Sequence, residues 1–113
     1  DPAPVLTLAC PDDGATVPTG GLLPFAFTVT DAGTPPEDLV VVVQSALAGP
    51  LGTYTPSAIE GQGLTRYRLE DGVHVLTTTV TDPLGQQAVD VRTVTVGGSG
   101  GEPACPLVDA GLP

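Results

Sequence analysis

The chain has 113 residues and a net charge of −10, with no Lys, three Arg, two Phe, two Tyr and no Trp. That length suits one domain able to bury about two-thirds of its surface, with a core made of Val, Leu, Ala and Thr. So few cations argue against binding to nucleic acid or to anionic lipid, and no apolar run is long enough to insert into a membrane.

Gly (15) and Pro (13) punctuate short alternating runs, a pattern of many strands and turns. The absence of Asn rules out N-glycosylation. The acidity reads either as a solubility feature with a coding bias, or as a sign of calcium binding or a salty habitat. No signal peptide is visible, and Asp1-Pro2-Ala3-Pro4 reads as the scar of signal cleavage or as a simple chain boundary.

In chain order, residues 5–9 predict an opening strand. Residues 11–20 predict a turn-rich kink with Val17 pointing inward. Leu22–Thr30 alternates most cleanly, with Leu23, Phe25, Phe27 and Val29 on one face and Pro24, Ala26 and Thr28 on the other. Phe25 and Phe27 are the expected large core residues, and Pro24 implies a backbone position without a ladder partner. Residues 31–38 (DAGTPPED) form a loop by every local signal. The consecutive Val40, Val41, Val42 and Val43 predict a central strand covered on both faces. Residues 49–63 are weakly patterned, with one short edge strand expected at 54–59. Residues 64–69 predict a strand with Tyr67 and Leu69 inward and Arg66 and Arg68 outward.

Residues 69–96 hold the strongest signal, two β-branched runs joined at Asp82-Pro83-Leu84-Gly85. Pro83 presets φ at the first turn position and Gly85 supplies φ > 0 to close it. His74, Leu76, Thr78 and Val80 share one face. Val75, Thr77, Thr79 and Thr81 share the other. The return run changes phase between Val89/Val91 and Val94/Val96. Either a bulge lies near Arg92–Thr93, or both faces of the sheet are partly apolar.

The motif Leu69-Glu70-Asp71-Gly72-Val73-His74, then Val80-Thr81-Asp82 with Gly85, then Thr93-Val94-Thr95-Val96, resembles the last two strands of bacterial immunoglobulin-like and PKD-like extracellular domains. The opening Leu6-Thr7-Leu8 and Pro11-Asp12-Asp13-Gly14-Ala15-Thr16-Val17 is similar to their first strand and its kink. The resemblance implies an all-β, seven-stranded antiparallel sandwich with Greek-key topology over residues 1–96. It implies an extracellular setting but no activity.

In such a sandwich the last strand returns to the end where the first strand finishes. This implies a Cys10–Cys105 disulfide in an oxidising compartment, tying back a Gly-rich linker and tail at 97–113. The alternative is two free thiols in a reducing one. Two Cys and one distant His fall short of a zinc site. His74 matches the inward aromatic of the corner before the penultimate strand and reads as a structural, backbone-bonded histidine. Ser45, Ser57 and Ser99 lie in no nucleophile motif, so no catalytic residue is assigned.

Asp31, Glu37, Asp38 and Asp82 fall on loops at one end and are the candidate calcium ligands. Their other reading is turn-forming carboxylates. Asp12, Asp13, Glu70 and Asp71 fall at the opposite end. Val40, Val42, Val75, Thr77, Thr79, Val89 and Val91 define an outward Val/Thr face, expected to dock a neighbouring domain, an identical subunit or the tail, or to be a tolerated surface. These features predict a non-enzymatic structural or adhesive module, either a spacer or a self-associating subunit of a surface assembly or filament. The alternative is a module that recognises carbohydrate or protein through its loops, with calcium as its one candidate cofactor.

Overall fold

In the computed structural model, which describes residues 3–31, 38–54, 62–97 and Cys105, the alternating runs become eight strands. They are β1 (Val5–Cys10), β2 (Ala15–Val17), β3 (Leu22–Thr30), β4 (Val40–Ser45), β5 (Gly49–Tyr54), β6 (Gln62–Arg68), β7 (Gly72–Thr81) and β8 (Gln87–Val96). No α-helix occurs among the described residues. The strands form two sheets, β1-β3-β6 and β2-β8-β7-β4-β5.

Two expectations are corrected here: there are eight described strands instead of seven, and the larger sheet is mixed. The extra strand is β2, inside the expected kink, and it runs parallel to β8 with Val17 opposite Val96. Three residues are too few for periodicity to reveal a strand. Backbone bonds bracket it: Gly14 N–H donates to Thr93 O at 2.7 Å, and Gly97 N–H to Val17 O at 2.8 Å.

β3 behaves as its alternation predicts, with Leu23, Phe25, Phe27 and Val29 all buried. Pro24 lies beyond the stretch where β1 pairs with β3, Val5↔Thr30 to Cys10↔Ala26, so its missing N–H removes no β1 partner. In β4 only one face is buried: Val41 and Val43 are sealed, Val42 is half-buried and Val40 is 43% exposed. The expectation of two covered faces is therefore corrected to one. β5 lies at Gly49–Tyr54, ahead of the expected 54–59, of which 55–59 lie outside the described residues.

The β7–β8 hairpin pairs without a register shift from Gly72↔Val96 to Thr81↔Gln87. There is no bulge at Arg92–Thr93. The phase change instead reflects a strand apolar on both faces, with Val94 and Val96 buried and Val89 and Val91 outward. The connection closes as its residues dictate. Gly85 takes φ 87°, and Asp82 Oδ1 accepts from Leu84 N–H at 3.0 Å and Gln86 N–H at 2.8 Å.

One core cluster gathers Leu8, Phe25, Phe27, Val29, Leu39, Val41, Val43 and Val80. A second gathers Val17, Leu23, Leu69, Leu76, Val94 and Val96. Leu51 and Tyr67 pack against both. Tyr67 meets Phe25 edge-on at 5.6 Å between centroids, and Phe27 meets Tyr54 at 6.2 Å.

Cys10 and Cys105 are joined, with Cα atoms 6.0 Å apart. A register shift between Leu8 and Cys10 decides where this bond sits. Leu8 pairs with the inward Phe27, but after the shift Cys10 pairs with Ala26, whose side chain has the opposite parity. Cys10, Ala26 and Cys105 thus form a separate buried cluster on the outer face of the smaller sheet. The remaining residues of the expected linker and tail, 98–104 and 106–113, lie outside the described residues.

Candidate interaction surface

Register places the outward side chains of the larger sheet in rows. One row runs Val89–Thr79–Val42–Thr53 and the next Val91–Thr77–Gln44–Pro50. Beside them lie Gln87–Thr81–Val40, Thr93–Val75 and Thr95–Val73. Val73, Val89 and Val91 are 57–58% exposed, and Val75 is 37% exposed. The structure brings Val40, Val42, Val75, Thr77, Thr79, Val89 and Val91 onto this one face. Sequence reasoning missed its extent: Val73, Gln44, Thr53 and the outer Thr of β8 belong to it, a consequence of a register that no single strand reveals.

No residue in these rows is charged. The two charges within β8 have the inward parity, Asp90 opposite Thr78 and Arg92 opposite Leu76. Arg92 Nε donates to Asp90 Oδ1 at 2.9 Å, and Arg92 Nη1 to Pro11 O at 2.8 Å. This partly buried ion pair lies on the part of β8 that precedes its three-residue pairing with β2. Arg66 and Arg68 belong to β6 of the other sheet. Asp12, Asp13, Asp38, Glu70, Asp71 and Asp82 all sit in connections between strands.

His74 is fully buried. Its Nε2 lies 2.8 Å from Glu70 O, so Nε2–H donates to that carbonyl, and Nδ1 accepts from Ser45 Oγ–H at 2.7 Å. Ser45 Oγ in turn accepts from Leu47 N–H at 3.2 Å and Ala48 N–H at 3.1 Å. Sequence reasoning did not join Ser45 to His74, and no spacing signal could have done so across two strands. The pair has nucleophile and base chemistry, but both residues are sealed from solvent and the hydroxyl oxygen is held by two backbone donors. Its chemistry here is to lock the β4–β5 turn to the start of β7.

Of the candidate calcium ligands, Asp31, Asp38 and Asp82 are among the described residues. Asp82 is buried and turned onto its own loop through Oδ1, while Asp38 is exposed ahead of β4. Asp31 follows β3, and Glu37 lies outside the described residues. Among the described residues no three His, Cys, Asp or Glu side chains are grouped to hold a metal ion.

At the opposite edge of the sandwich the Tyr54 and Tyr67 hydroxyls hydrogen-bond across the two sheets. Burial, then the Tyr54 hydroxyl, push the Tyr67 phenol well above its ordinary range.

No protein-family model matches the chain, and a comparison with curated proteins gives no match. A comparison with solved structures finds Clostridium thermocellum CbhA fibronectin(III)-like modules, with a TM-score of 0.61 and 13% sequence identity, covering 81% of this chain and 96% of that one. The chain is an immunoglobulin-like β-sandwich of this general kind, and at that identity the likeness speaks for fold alone.

Proposed function

We propose that this sandwich is a non-enzymatic extracellular module, structural or adhesive, that acts by protein contact through the outer face of β4, β7 and β8. The observation that carries the proposal is an uncharged Val/Thr face on a chain of net charge −10. Exposed Val side chains gathered on one uncharged face mark a candidate contact surface. The buried Cys10–Cys105 bond supports an oxidising compartment. The sealing of Ser45 and His74 supports contact over catalysis.

The test is methyl NMR of Val42, Val89 and Val91 in the presence of a soluble paramagnetic agent. In the dilute chain these methyls should be strongly relaxed. In the full-length gene product, in its native assembly, they should be shielded. Equal exposure in both states would overturn the proposal.

A further inference from the structure

Resting on that reading and narrowing it, we infer that the partner of the β4-β7-β8 face is a second copy of this chain, packed face to face about a two-fold axis.

Charge makes the first argument. A basic partner would find no carboxylate in these rows to pair with: Asp90 of β8 has the inward parity, and the other described acidic residues lie in connections between strands. An acidic partner would meet repulsion from most of the remaining surface. Between two molecules of net charge −10, an approach through this uncharged face costs less than one through the acidic connections.

Shape makes the second. The outward side chains of β7 and β8 are Val, Thr and Gln, with no large or charged group to hold a neighbour off. β-Sheets faced with short side chains pack about 10 Å apart with those chains interdigitating. A face of short, uncharged side chains can meet its own copy about a two-fold axis, in which both partners present the same residues.

Area makes the third. β7 and β8 are ten residues long and β4 is six, and the face continues onto β5, also six residues, where Thr53 and Pro50 extend its rows. At about 3.3 Å per residue and about 4.8 Å between strands, the footprint is about 500 Å² per copy. The pair thus reaches about 1,000 Å² before the corrugation of side chains is added, the lower bound for a specific interface. A reversible dimer is the expected product.

The chain's own tail is a poorer occupant. Cys105 is seated on the outer face of the other sheet.

The experiment is sedimentation equilibrium of the intact, oxidised chain from micromolar to millimolar concentration at low and high salt. The expected result is a monomer–dimer equilibrium that tightens with added salt, since screening removes like-charge repulsion and no ion pair is lost. Thr79→Glu, at the centre of the face, should weaken association at least tenfold. Val91→Ser should weaken it less. Arg68→Gln, exposed on the other sheet, should leave it unchanged. Far-UV circular dichroism confirms folding, and Val91→Ser carries the test if Thr79→Glu fails to fold. A monomer at every concentration overturns the inference, as does a dimer indifferent to both face substitutions. If the chain stays monomeric while the methyls above are shielded in the full-length product, the second copy is wrong and the contact reading stands.

Discussion

Ser45 Oγ and His74 Nδ1 lie 2.7 Å apart although 29 positions separate them in the chain. The serine reads as half of a catalytic pair and functions as a clasp. It donates to the imidazole and accepts two backbone N–H groups of the turn that follows β4. Ser45→Ala leaves a buried imidazole nitrogen and two turn donors without their partner. The expected cost is about 2 kcal/mol, read from urea titration. In the folded wild-type chain Ser45 should not react with fluorophosphonate probes, because neither it nor His74 is accessible. Stoichiometric labelling would contradict the structural role.

Thr78 is fully buried, between Val43 and Asp90 in register, and its Oγ1 has no hydrogen-bond partner among the described residues. Thr78→Val keeps the shape and removes a desolvated hydroxyl. The expected gain is about 1 kcal/mol, a rise in melting temperature of about 4–8 °C for a domain of this size. A fall in melting temperature would mean that the hydroxyl is satisfied.

The Tyr67 phenol is held neutral above its ordinary value of 10.0 by burial and by Tyr54. The folded state therefore keeps a proton that the unfolded state releases. The sign follows: this stabilisation is complete below pH 10 and is lost as pH rises toward the folded value. The urea midpoint should decline above pH 10, and Tyr67→Phe should make that decline shallower while lowering stability at neutral pH. An unchanged slope would dissociate the pair from alkaline unfolding.

Reducing Cys10–Cys105 frees a loop with a sequence separation of 95 residues. In the chain-entropy picture this destabilises the fold by about 5 kcal/mol. Cys10→Ser and Cys105→Ser should each reproduce the effect, measured by denaturant titration against the oxidised chain. Because Ala26 packs beneath the bond, either variant should also expose a small apolar site on the smaller sheet.

What was legible in the sequence follows from length and parity. β3, β7 and β8 are nine or ten residues long, enough for a period of two to declare itself, so their inward residues could be read directly. β2 is too short to show a period. β5 begins Gly49-Pro50 and contains Gly52, which read locally as turn signals. Gly52 is there because the Tyr54 ring folds back over it; a Cβ would lie 2.5 Å from the Tyr54 hydroxyl. That contact lies within β5 and depends on the orientation of the Tyr54 ring, which local sequence does not give. The continuous Val run of β4 misled because one buried face and one Val-rich outer face look the same as two buried faces. The members of the Val/Thr face were visible strand by strand, but its continuity depended on registers. The outward turn of Cys10 depended on a register shift that parity alone reads the wrong way.

The Cys10–Cys105 bond also decides how the module answers a pull. Tension applied to the chain before β1 and after Cys105 passes through residues 5–10 and then across the sulfur–sulfur bond. Everything from Pro11 to Ala104 lies in a closed covalent ring that the force bypasses. Under stretching, β1 can be peeled from β3, but β7, β8 and the face they carry are never placed in the line of force. A row of such units would stay short and keep its surfaces presented under loads that would unravel an unstapled sandwich.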